Sequence, residues 1–127
     1  MNNISDTFSS EVRERWGETR EFAESQRRLK KYSQNDIDQA KQELLNITND
    51  FAELKRTGIS TDSPSAMNLV IQHRDHISRW WYECTPDIQS GLADMYISDS
   101  RFSDYYEKVE PGLAQYVHDA IKVSQLH

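Results

Sequence analysis

Ile37, Ala40, Leu44, Ile47, Phe51 and Leu54 fall at alternating spacings of three and four. On a helix of 3.6 residues per turn this spacing draws one continuous apolar seam down about six turns. A seam of that kind is buried only against other helices, so it predicts a chain folded as packed helices. No alternating apolar–polar run suggests a competing strand. The four glycines and three prolines fall where helices end or begin. The predicted fold class is therefore all-α.

Ser33 to Asp36 has the form of a capping box ahead of the seam, with Asp in place of the usual Glu or Gln, and Gly58 suits its stop. Asp62 or Ser63 is placed to cap the next helix, with Pro64 at its first position. That helix is expected to run to about Glu83, burying Ala66, Val70, His73, Ile77 and one of Trp80 and Trp81. Thr85-Pro86 repeats the signal before Ile88, Leu92 and Met95, with Tyr96 beside them. Phe102, Tyr105, Tyr106 and Val109 predict a short helix, and Pro111 is expected to open a last one with Leu113, Val117, Ala120 and Ile121 inward. The N-terminal part is weaker. Val12 and Trp16 are four apart before Gly17 interrupts, and Glu18–Tyr32 is rich in helix formers but has little apolar content beyond Phe22, Ala23 and Leu29. So thin a stripe predicts a loosely held segment.

Hydrophobic residues make up 36% of the 127, and the mean hydropathy is −0.85, so the core has little to spare. The net charge of −6 argues against nucleic-acid binding by this chain, because phosphate neutralisation needs a basic face. Arg27, Arg28, Lys30 and Lys31 are flanked by acids and read as a solvated helix end. A single cysteine excludes an internal disulfide framework. There is no signal-peptide pattern and no apolar run long enough to span a membrane. The expectation is a soluble, cytoplasmic protein.

Catalytic or metal chemistry finds little support. His73 and His76 share one helix face, but His118 and His127 are remote and no Glu-x-x-His pair completes a di-iron pattern. His73 is expected to be a core histidine with a satisfied nitrogen, and His76 a surface one. Cys84 lies two or more turns from either, on a stripe that points inward, and reads as a packed thiol. Phosphate-binding glycine loops and nucleophile elbows are absent. The expectations are no enzyme activity, no metal and no cofactor.

What remains is an aromatic surplus: three Trp, six Tyr and four Phe in a chain otherwise short of hydrophobics. Trp80 and Trp81 are about 100° apart on a helix, so one can pack inward while the other lines a cleft. Gly91 sits between Ile88 and Met95, where glycine costs about 1 kcal/mol relative to alanine. A missing side chain there leaves space, unless it serves close helix packing. Such a cleft suits a large, flat, weakly polar molecule. The same cleft could also receive a partner helix, which makes a helical protein-interaction domain the alternative function.

Five runs together resemble the TipAS antibiotic-recognition domain. They are Val12-Arg13-Glu14-Arg15-Trp16-Gly17; His73-Arg74-x-x-Ile77; Tyr82-Glu83-Cys84; Gly91-Leu92-Ala93-Asp94-Met95-Tyr96-Ile97-x-Asp99-x-Arg101-Phe102; and Pro111-Gly112-Leu113-Ala114-x-Tyr116-Val117-x-Asp119-Ala120-Ile121. The resemblance covers nearly the whole chain. It implies a globin-like helical domain that binds thiopeptides or other bulky multi-ring toxins. It also implies a mobile N-terminal helical lid over residues 1–32 and a ligand-binding core over 33–127, together one domain. Members usually form the sensor half of MerR-type regulators, so the implied partners are a bulky antibiotic and, in a longer form, a DNA-binding half. Without that half, a drug-sequestering protein is the other form implied. Carried over to this sequence, the cleft would involve Trp16, Phe22, His73, Ile77, Trp80, Trp81, Gly91, Met95, Phe102 and Tyr105. In thiopeptide-binding members a cysteine just before the Leu-x-x-Met-Tyr motif adds to a dehydroalanine of the antibiotic. Gly91 stands at that position here, so reversible binding is expected.

Overall fold

Ser33 accepts the Asp36 amide at 3.1 Å, and the Asp36 carboxylate accepts the Ser33 amide at 3.0 Å, so both bonds of the expected capping box are present. The computed structural model describes residues 20–126, and among these it holds six helices and no strand. They are α1 (Arg20–Leu29), α2 (Gln34–Arg56), α3 (Pro64–Trp80), α4 (Pro86–Ser98), α5 (Ser100–Glu107) and α6 (Leu113–Ser124). Ser63, rather than Asp62, caps α3 by accepting the Ala66 amide, and Thr85 caps α4 by accepting that of Ile88. Asp99 alone separates α4 from α5 and caps the latter. After α2, Gly58 adopts the left-handed conformation (φ +75°) that turns the chain.

Two boundaries differ from the sequence expectation. The third helix ends at Trp80, not near Glu83, because the amides of Trp81 and Tyr82 both return to the Ile77 carbonyl, at 2.9 and 3.2 Å. The tight exit turns Tyr82 and Cys84 into the core, at 1% and 4% exposure, and the Ser78 hydroxyl accepts the Cys84 amide at 3.0 Å. At the other end of the chain, Pro111 does not open α6. Gly112, at φ +83°, breaks the path, and α6 starts at Leu113. No side chain of the cap residue serves that start. Instead the Glu107 carboxylate, from the end of α5, accepts the amides of Gly112 at 2.8 Å and Ala114 at 3.1 Å.

The longest seam is buried as its spacing demands: Ala40, Ile47 and Phe51 face inward from α2 and α2 packs along α3. α4 lies against α6 and α5, and α6 also touches α2 and α3, so its inward face is central to the bundle. Leu113, Val117, Ala120 and Ile121 on α6 are fully buried. Burying leucine, valine or isoleucine side chains stabilises by about 1.5–3 kcal/mol each. By contrast, α1 adds only Ser25 to the buried set. Its link to the rest of the domain brings polar bonds to the end of α3.

Candidate functional site

The end of α3 is where the two consecutive tryptophans part. Trp81, the cap residue just past the helix, packs on the same apolar cluster as Ile77, Met95, Phe102 and Tyr105. Trp80 points elsewhere, and its indole N–H donates to the Glu43 carboxylate of α2 at 2.9 Å. Tyr32 meets both rings edge-on, with centroids 5.5 Å from Trp80 and 6.3 Å from Trp81. Its hydroxyl donates to the Trp80 carbonyl at 2.5 Å. The Arg28 guanidinium donates to the Ser78 carbonyl at 2.6 Å. A helix leaves its last carbonyls without internal donors, and a cation is favoured at that end. Arg28 and Tyr32 fill both needs from the α1 side.

His76 does not lie at the surface as the sequence suggested. It is 3% exposed, and its Nδ1–H donates to Glu43 at 2.6 Å. The α2 carboxylate draws it inward. Burial lowers the His76 pKa, with Glu43 partly offsetting it. Desolvation alone would raise the Glu43 pKa, but the hydrogen bonds of His76 and Trp80 and the charge of Arg79 outweigh it and lower it. The pair is thus a neutral imidazole donating to a carboxylate rather than an ion pair.

A second group of rings lies where α3, α4 and α5 meet. Tyr96 is within 5.0 Å of Tyr106, 5.9 Å of His73 and 6.0 Å of Phe102, centroid to centroid, and Tyr105 is 5.1 Å from Tyr106. The Tyr105 hydroxyl shares a bond of 3.1 Å with Thr48 of α2. His73 is the satisfied core histidine that its place on the stripe implied. The Gln89 amide donates to its Nδ1 at 2.8 Å, so the proton sits on Nε2, which donates to the Tyr96 hydroxyl at 3.1 Å. Burial brings the His73 pKa down to about 3, helped by the neighbouring basic groups of His76 and Arg74.

The expected site residues therefore fall into distinct settings. Ile77, Trp81, Met95, Phe102 and Tyr105 belong to one apolar cluster, and His73 is buried edge-on to Tyr96. Trp80 stands on the polar side with Glu43, and Phe22 is half-buried on α1. Trp16 and the Val12–Gly17 run lie outside the described residues. Gly91 faces open space: a Cβ built there meets nothing within 4 Å, so it is not a close-packing glycine. Cys84 is a buried thiol, and desolvation pushes its pKa up to about 12. Sequence reasoning missed Glu43, Arg28, Tyr32 and Gln89. Each reaches the site through a partner at least 15 positions away, and spacing along a helix carries no signal of that.

Among the described residues no group of three or more His, Cys, Asp or Glu could hold a metal ion, and no helix is long and apolar enough to cross a membrane. The site is thus a set of aromatic rings gathered around the end of α3, with α1 and Tyr32 tied to that end by polar contacts. The sequence model of the TipAS antibiotic-recognition domain matches residues 8–124, and the chain belongs to that family. It is 36% identical over 116 residues to the HTH-type transcriptional activator TipA of Streptomyces coelicolor, across 91% of this chain and 46% of that protein. It is 34% identical to the activator mta of Bacillus subtilis, across 91% of this chain and 44% of the relative. The regulator SkgA of Caulobacter vibrioides is 30% identical, across 82% and 41%. The chain thus spans less than half the length of these relatives. Among solved structures, TipAS of Streptomyces lividans in complex with nosiheptide superposes with a TM-score of 0.88 at 34% identity, covering 98% of this chain and 87% of that one. The fold is the globin-like helical fold of that domain.

Proposed function

We propose that this chain recognises bulky multi-ring antibiotics of the thiopeptide kind, reversibly and without catalysis, as a sensor domain or as a drug-sequestering protein. The observation that carries the reading is the likeness to the nosiheptide-bound TipAS structure over nearly the whole chain. In this reading Trp81, Phe102 and Tyr105, partly buried against the core that holds Ile77 and Met95, offer the aromatic surface, and Trp80, His73, Phe22 and Trp16 complete the set of drug contacts. Residues 1–32 act as a lid over the bound drug, and a longer regulator form would join the domain to a MerR-type DNA-binding half. Capture is non-covalent because Gly91 offers no thiol and the buried Cys84 is protonated at neutral pH.

The test is a titration with nosiheptide followed by tryptophan fluorescence and intact mass together. Saturable quenching with no added mass is expected. Added mass would overturn reversible capture. No response to nosiheptide or to other multi-ring antibiotics would overturn the drug reading itself.

A further inference from the structure

Glu43 is not aromatic and lies on the long α2 seam helix, yet three donors of α3 converge on its carboxylate. Oε1 accepts His76 Nδ1–H at 2.6 Å and Trp80 Nε1–H at 2.9 Å, and Oε2 accepts the Arg79 guanidinium at 3.0 Å. His76, Arg79 and Trp80 stand at i, i+3 and i+4, one face of the helix, so a single carboxylate on the facing helix can reach all three. The indole is thereby held at its nitrogen by a charge-assisted bond. It is also held at its face by the Arg79 guanidinium, 5.6 Å from the ring centroid, and along its edge by Tyr32.

We propose that Glu43 is a positioning residue of the drug site, its carboxylate setting the Trp80 ring and, through that ring, the seat on which Tyr32 and α1 dock. The functional half of this rests on the reading of residues 1–32 as a lid over a bound antibiotic. The seat itself is built from α2 and α3 alone and needs no ligand. Glu43→Gln keeps a neutral acceptor for the indole but loses the charge that holds Arg79. Glu43→Ala removes the acceptor and strands the buried His76 N–H.

The experiment uses the whole chain, 15N-labelled. Three tryptophans give three indole N–H resonances, and Trp80→Phe identifies the one of interest. In ligand-free protein the Trp80 resonance is expected downfield and slow to exchange. It should move upfield in Glu43→Gln and exchange rapidly in Glu43→Ala. Amides of α1 should exchange about ten-fold faster in Glu43→Ala while those of α6 keep their protection, a pattern that general loosening of the fold does not produce. If the alanine variant fails to fold, the glutamine variant decides. Nosiheptide affinity should then fall about ten-fold in the alanine variant and less in the glutamine one. An unmoved Trp80 resonance and unchanged α1 exchange would overturn the proposal, as would shifted spectra with unaltered affinity. Wild-type protein that ignores nosiheptide would refute the drug reading instead, and the ligand-free spectra would still decide whether Glu43 builds the seat.

Discussion

His73 Nε2 and the Tyr96 hydroxyl are 3.1 Å apart inside the core, and the Gln89 amide donating to Nδ1 forces the imidazole to be the neutral donor of that pair. A proton added at Nδ1 would face another N–H inside the core. Burial, with His76 and Arg74 adding to it, takes the His73 pKa from 6.5 to about 3. The unfolded chain takes up that proton more readily than the folded one, so the bond's stability is intact above pH 6.5 and lost as pH falls toward 3. Linkage sets the slope at about 1.4 kcal/mol per pH unit for one such group. His76, whose pKa is also lowered, adds in the same direction. Urea midpoints measured from pH 7.5 to 5 should therefore decline before the carboxylates protonate. The decline should be shallower in His73→Gln, although that variant starts less stable. Equal slopes would show that His73 is not the group taking up the proton.

Cys84 offers a separate check on the turn after α3. With the thiol 4% exposed and its pKa near 12, roughly one molecule in 10⁵ is thiolate at pH 7. Reaction with an aromatic disulfide reagent should be very slow in native protein and prompt in denaturant. Fast native reaction would mean that the Trp81–Thr85 turn opens readily and that Cys84 is not held by Ser78.

Tyr32→Phe should loosen α1 without unfolding the domain. It keeps the ring against Trp80 and Trp81 and removes only the hydroxyl that donates to the Trp80 carbonyl. A hydrogen bond of this kind is worth about 1 kcal/mol net, or roughly five-fold in a local opening equilibrium. Hydrogen exchange of α1 amides should rise by about that factor while α6 is unchanged. Arg28→Ala, which removes the donor to the Ser78 carbonyl together with the Glu24 bond within α1, should have the larger effect. A uniform change across all helices would remove the distinction between α1 and the core.

Glu107→Ala should destabilise by about 1 kcal/mol, the usual worth of a helix cap, because its carboxylate holds two amides at the start of α6. Those backbone bonds lower its pKa below 4.5, so the stabilisation is present above that value and lost as pH falls through the lowered one. The difference in thermal midpoint between wild type and variant should shrink below pH 4. A constant difference would place the effect in packing rather than in the charge.

What the sequence made legible was local. Ser33 and Thr85 announce their helices, and Asp62 or Ser63 a third, because a cap and its amide are only two or three residues apart, and the α2 seam repeats its period over many turns. His73 was readable as a core histidine because it falls on the same stripe as Val70 and Ile77. His76 was not, although it follows the buried Leu69 by two turns, because the Glu43 carboxylate that satisfies its ring nitrogen lies 33 positions away. The overrun of α3 to Glu83 has a related cause. Nothing between Trp81 and Thr85 is a glycine, so the stop comes from the core's demand for Tyr82 and Cys84 rather than from a local breaker. Gly91 shows the converse: the sequence marked the missing side chain, but whether it allowed close packing or left room needed the neighbouring helices in place.

That room makes the last prediction two-sided. Gly91 lies within α4, has no positive φ, and an added Cβ meets nothing within 4 Å. Gly91→Ala should therefore gain about 0.5–1 kcal/mol from reduced backbone entropy in the unfolded chain, raising the thermal midpoint by a few degrees. If the space receives part of the drug, the same methyl should weaken nosiheptide binding, so that stability and affinity move in opposite directions. Gly91→Cys places a thiol in the open, where it should react with a disulfide reagent far faster than Cys84. Toward a dehydroalanine-bearing thiopeptide it should add across the double bond, with no atom lost, giving a complex whose intact mass is the sum of the two. Wild type should give no such adduct. A Gly91→Cys variant that binds the drug but never gains its mass would place the alkene away from α4.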